Sequence, residues 1–182
     1  MFYFDNAATT RVYPEVALHA LKLMQEDYGN PSSQHKLGKT ALKELNIARA
    51  AVRHAINADT GALIFTSCGS ESNNQAILSA TYANRRVGKH IITSAVEHPS
   101  VMECVKSLEN SGFEVTYIKP DKNGVVRAED VAAALRPDTA LVSVMMVNNE
   151  TGAVNPIADI KKAISDADSK ALLHTDCVQG LF

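Results

Sequence analysis

The sequence predicts an α/β fold: a mainly parallel sheet with helices on both faces, three layers in all. Short, nearly continuous apolar runs at 62–65, 90–93, 113–118, 140–147 and 171–173 are of strand type. Unbroken apolarity suits strands buried on both faces, whereas a half-exposed strand would alternate. Between them lie segments with helical spacing, and strands alternating with helices build parallel sheets. At 182 residues and 46% apolar composition, the chain is long enough for one domain with a substantial core. No repeat, low-complexity stretch or linker argues for a second domain.

The elements follow in order. A helix over 14–27 opens on Pro14, suited to a first turn, and carries Val16, Leu18, Leu21, Leu23 and Met24. The loop YGNPSSQH leads to a long helix over 37–56, apolar at 41, 42, 45, 48, 52 and 56. The run ALIF (62–65) is strand-like, and 71–84 is helical. HIIT (90–93) is a strand, Pro99 starts a helix that runs through 101–110, and 113–118 is a strand ending before Pro120. DKNG turns the chain, 131–135 is a short helix, 140–147 a strand, 157–167 a helix and 171–173 a last strand.

Composition excludes several classes of function. A net charge of -2 leaves no basic footprint for nucleic acid, and no basic amphipathic stretch points to a membrane surface. No apolar run reaches the roughly 20 residues that span a bilayer. The start, MFYFDNAATT, lacks a signal peptide's basic and apolar regions. Cys68, Cys104 and Cys177 are odd in number, far apart and without metal-type spacing, which fits a reducing compartment. A soluble, cytoplasmic protein is expected.

Ligands of open α/β sheets bind beyond the carboxyl ends of the strands. ALIF is followed by TSCGSES, HIIT by SAVEHPS, ALVSVMMV by NNETG, and ALLHT by DCVQ. If these four ends lie side by side, they form one polar site. In TSCGSES, small residues lead straight into a helix whose free N–H groups suit phosphate, although Ser70 or Ser72 capping the helix would explain the stretch equally well. His98, before Pro99, is by itself more simply a helix-terminal histidine. Asn148 and Asn149 suit a turn. Asp176, at the tip of an apolar strand, needs a partner: either a backbone amide at the cap of the next helix or a protonated ligand nitrogen such as a pyridinium. An anion cradle, an imidazole, two amides and an acid together suit a small, flat, phosphorylated heteroaromatic cofactor, with pyridoxal phosphate the obvious candidate.

The stretches FDNAATT (4–10), YGNPSSQH (28–35), FTSCGSESNN (65–74), HIITSAVEHPSV (90–101), GFEVTYI (112–118), VNNETG (147–152) and HTDCVQ (174–179) resemble the cysteine desulfurases of the class V aminotransferase group. The resemblance runs the whole chain in family order. It implies a partial large domain of the aspartate-aminotransferase type, with pyridoxal 5'-phosphate as cofactor. Gly69 and Ser70 would hold the phosphate, Ser70 standing where a threonine is usual. His98 would stack on the ring and assist proton transfer, as the catalytic residue. Asn149 would lie near the ring and the substrate carboxylate, Asp176 would pair with the pyridinium nitrogen, and Gln179 would bond the phenolate oxygen. Cys177 stands where the family often has alanine, and is not expected to be the persulfide cysteine.

The implied reaction removes sulfur from L-cysteine, giving L-alanine and an enzyme persulfide for iron–sulfur or thiolation pathways. Selenocysteine lyases and transaminases share the same frame. The implied partners are a second copy of the chain and a sulfur-acceptor protein. All eleven lysines, Lys22 to Lys170, precede Asp176, and none has the family's Schiff-base context. The resemblance therefore carries the expectation of an incomplete large domain over 1–182, lacking that lysine and the persulfide loop and inactive alone. The alternative is a short, non-catalytic binding or dimerisation paralogue.

Overall fold

The computed structural model describes residues 2–181, which form two compact units, one ending at Phe65 and the other beginning at Thr66. The first holds helices α1 (Pro14–Gln25) and α2 (Lys36–Ala55). Pro14 opens α1 with its fixed φ, and α2 is capped by His35 Nδ1, which accepts from Gly38 N at 3.3 Å. The loop before α2 folds tightly onto it: Asn30 Oδ1 accepts from Ser32 N at 2.9 Å, and a Cβ on Gly38 would stand 2.4 Å from Ser33 O.

The run at 62–65, expected as a strand, is not one. No described residue pairs with it, and Ile64 and Phe65 are 67% and 49% exposed. A lone apolar run has no ladder to satisfy its backbone, so apolarity without a neighbour does not make a strand.

The second unit is the expected three-layer α/β structure. Its elements are α3 (Gly69–Ala83), β1 (His90–Ser94), α4 (Pro99–Asn110), β2 (Glu114–Ile118), α5 (Ala128–Ala134), β3 (Thr139–Ser143), α6 (Ile157–Asp166) and β4 (Leu172–His174). The strands pair in parallel in the order β2-β1-β3-β4. Side-chain alternation splits the core in two. Ile91 and Leu141 pack with Ile77 of α3 and Val101, Val105 and Leu108 of α4. Their neighbours Ile92 and Val142 face the other way, onto Val131 of α5 and Ile160 and Ile164 of α6. All five residues of β1 and of β3 are buried, which explains their unbroken apolar runs.

β3 is shorter than the expected 140–147. Beyond Ser143 the chain still bonds the β4 side, through Val144 N to His174 O at 3.2 Å and Met146 N to Asp176 O at 2.9 Å. On the other side, side chains replace the neighbouring strand. Glu97 Oε1 accepts from Met145 N at 2.9 Å, and Asn155 Nδ2 donates to Met145 O at 2.8 Å. The apolar pattern thus outruns the ladder, and the strand ends where carboxyl and amide groups take over. Among the described residues no helix is long and apolar enough to cross a membrane.

Candidate functional site at the strand ends

From β1 the chain steps one way to β2, while β3 lies on its other side, so the strand order reverses beside the end of β1. Such a reversal opens a crevice at the carboxyl ends. Three of the four polar strand ends expected from the sequence, those of β1, β3 and β4, are side by side there; the fourth followed the run that forms no strand.

Asp176 is 6% exposed, two residues past β4. Its Oδ1 accepts from Val178 N at 2.9 Å and its Oδ2 from Asn73 Nδ2 at 2.8 Å. The first partner is a backbone amide, as the simpler expectation had it, but it belongs to a turn and not to a helix cap; the side-chain amide from α3 is a second. Asn73 Nδ2 also reaches Ser100 Oγ at 2.9 Å, and Ser100 Oγ lies 2.8 Å from His98 Nδ1. A line of hydrogen bonds therefore runs from Asp176 through Asn73 and Ser100 to His98.

His98 is the N-cap of α4, and its Nδ1 accepts from Ser100 N at 3.1 Å. Because that donor is a backbone N–H, Nδ1 carries no hydrogen, and the neutral ring holds its proton on Nε2. The ring is exposed, and it is both a helix cap and an oriented imidazole.

At the start of α3, neither Ser70 nor Ser72 is the cap. The N-cap is Cys68, whose side chain makes no cap bond, and Gly69 and Ser70 are the first two helical residues. Glu71 reaches back so that its Oε2 accepts from Ser67 N and Ser67 Oγ, both at 2.6 Å. The first-turn amides of α3 precede any intrahelical carbonyl they could bond. They converge near the exposed Cys68 thiol, which is held below the usual thiol range by Glu71's amide first, then Ser67's hydroxyl and Ser70's amide. A Cβ on Gly69 would stand 3.0 Å from Val178 Cγ2, so glycine lets the helix start lie against the 176–179 turn.

The two asparagines separate in role. Asn148, 7% exposed, builds the turn: its Oδ1 accepts from Glu150 N at 3.0 Å and Thr151 N at 2.9 Å, and its Nδ2 donates to Val96 O at 3.0 Å. Asn149, half-buried in that turn, is left with its amide uncommitted to it. Gln179 is exposed in the turn after Asp176. Cys177 is half-buried, and burial pushes its thiol up, which fits a packing residue rather than a nucleophile.

Three residues that matter here were not singled out from the sequence. Asn73 lies on the α3 face whose other buried members, Ile77 and Thr81, follow at four-residue steps, and an amide on such a stripe is the signal that could have found it. Ser100 and Glu97 flank the His98–Pro99 pair. Glu97, 8% exposed, accepts from Ser94 Oγ at 2.5 Å and Met145 N at 2.9 Å.

Residues 2–182 match the family model described as aminotransferase class-V. The chain is 44% identical over 179 residues to cysteine desulfurase IscS of Methanosarcina thermophila, covering 98% of this chain and 44% of that one. Among solved structures, a NifS-like protein superposes with a TM-score of 0.91 at 35% identity, covering 95% of this chain and 48% of that one. SspA in complex with cysteine gives 0.89 at 36%, covering 95% and 49%. The chain thus spans about half the length of the relatives it matches, and it belongs to the class V aminotransferase family.

Proposed function

We propose that these residues form the cofactor-binding wall of a pyridoxal-phosphate-dependent cysteine desulfurase, with the catalytic amine and the persulfide cysteine contributed by segments outside 1–182. The observation that carries this reading is the buried Asp176, held on both oxygens and joined by hydrogen bonds to an oriented His98.

The residues present fit pyridoxal 5'-phosphate. The donor set has an anion cradle at the start of α3, where Gly69 lets the helix start lie against the 176–179 turn, and a buried carboxyl group for a cationic ring nitrogen. Bound there, the cofactor supplies an electron sink for the carbon that bears the substrate's amino group. Gly69 and Ser70 bind its phosphate through helix-start amides. Asp176 holds a proton at the ring nitrogen, and its two N–H donors keep the carboxyl group aimed. Asn73 and Ser100 orient His98, whose Nε2 proton lies on the exposed edge of the ring, free to be passed to a reacting atom. Asn149 orients the substrate carboxylate, and Gln179 bonds the cofactor's phenolate oxygen. L-Cysteine as substrate is supported by the likeness to SspA, a protein solved with cysteine, and by relatives named cysteine desulfurase. A second copy of the chain and a sulfur-acceptor protein complete the reading.

The test is alanine release from L-cysteine with pyridoxal phosphate added. Residues 1–182 alone are expected to release none, whereas a protein that also carries a Schiff-base lysine and a persulfide cysteine loop releases it. In that protein Asp176→Asn lowers the rate at least about tenfold, the equivalent of one charged hydrogen bond. Alanine release by residues 1–182 alone overturns the division of labour.

A further inference from the structure

The site contains a second buried acid that the proposed reaction leaves without a task. Glu97 and Asp176 hang on consecutive amides of one strand: Met145 N donates to Glu97 Oε1 at 2.9 Å, and Met146 N donates to the backbone carbonyl of Asp176 at 2.9 Å. They reach that strand from opposite sides, one from the end of β1 and the other from the end of β4. Their surroundings differ. Both oxygens of Asp176 accept N–H groups, which suits a carboxylate. Glu97 Oε1 accepts from Ser94 Oγ and Met145 N, whereas its Oε2 is buried without a partner among the described residues. A buried oxygen with no donor favours the neutral acid.

We propose that Glu97 is a positioning residue acting as the neutral partner of Asp176: it keeps a proton in the absence of ligand, and releases it to solvent when a cationic ring is bound at Asp176. This deepens the cofactor reading and rests on it. Burial with one bare oxygen disfavours the Glu97 anion, and a cation bound at Asp176 favours it, so the proton then leaves Glu97. Burial pushes the Glu97 carboxyl up to about 7, Asp176 adds to the rise, and the bonds from Ser94 and Met145 oppose it. Of the elements around Glu97, β1 and the extension of β3 face it with Ser94 and Met145, and α4 begins with the exposed ring of His98. The end of β4 brings Asp176 and the half-buried His174, whose imidazole pKa burial pushes down. Pairs of acids whose surroundings separate their proton affinities in this way divide acid and anion roles between them.

Pyridoxamine 5'-phosphate is the probe, because it carries its own amine and needs none from the protein. Its binding is measured by calorimetry at pH 7 in buffers of different ionisation enthalpy, for wild type and Glu97→Gln. Glutamine keeps the acceptor for Ser94 and Met145 but has no proton to lose. Wild type is expected to release roughly half a proton more per probe bound than Glu97→Gln. Equal release by the two proteins, with binding intact, overturns the inference. Absence of any binding by wild type overturns the cofactor reading instead. The pair is then tested without ligand, by the ¹³C resonance of the Glu97 carboxyl. It should titrate near neutrality in wild type and move down in Asp176→Asn. A midpoint in the ordinary carboxylate range, or one unmoved by that substitution, contradicts the pairing.

Discussion

Replacing Asn73 with leucine removes one amide while keeping the size of the side chain. Asn73 is 6% exposed, and its Nδ2 serves Asp176 Oδ2 at 2.8 Å and Ser100 Oγ at 2.9 Å. A hydrogen bond to a charged group contributes about 1.5–3 kcal/mol and a neutral one about 0.5–1.5 kcal/mol. The loss expected for Asn73→Leu is therefore about 2–4 kcal/mol at neutral pH, most of it from the carboxylate left with a bare buried oxygen. Urea unfolding of wild type, Asn73→Leu, Asp176→Asn and the double variant gives the coupling directly. The two substitutions should be strongly non-additive, since each breaks the same contact. A loss below about 0.5 kcal/mol, or additivity within that margin, refutes the claim that Asn73 holds Asp176.

Three further outcomes follow from the same structure. Ile92→Ala should cost about 2–5 kcal/mol in urea unfolding, because Ile92 is fully buried between β1 and the α5–α6 layer. Stability should depend on pH in two opposed ways. Burial lowers the pKa of His90, which lies 2.8 Å from both Thr139 Oγ1 and Thr116 Oγ1, so its contribution is complete above about 6.5 and is lost as pH falls below it. Glu97 has the opposite sign, complete below the ordinary glutamate value of 4.5 and lost as pH rises through about 7. Glu97→Gln should accordingly gain on wild type between pH 5 and 8 by up to ~3 kcal/mol in urea midpoints converted to free energy. Finally, iodoacetamide followed by mass mapping should label Cys68 first, since its thiol is exposed and held low, while burial raises Cys104 and Cys177.

The layer order and most elements were legible because burial on both faces leaves an unbroken apolar signature in 90–93 and 140–143. The same signature misled at 62–65, where the residues are apolar but no partner strand lies beside them, and pairing is not a property of a segment alone. It also overran β3, because Glu97 and Asn155 satisfy the backbone at Met145 in place of a strand. Within the candidate site, Asp176, His98 and the Gly69–Ser70 helix start were legible as small or polar residues at element ends. Asn73 was not, because its meaning depends on which face α3 turns toward the sheet. Glu97 was hidden by a similar cause: a glutamate beside a histidine reads as a solvated loop residue until the fold buries it.

The central claim is that the strand-end cluster around Asp176 binds a phosphorylated pyridine. Equilibrium binding of pyridoxamine 5'-phosphate to wild type and Asp176→Asn, followed by the ligand's absorbance, tests it most directly. Saturable binding at one site, weakened at least about tenfold by Asp176→Asn, is the predicted result. Binding of equal strength in both proteins, or none in either, would contradict it.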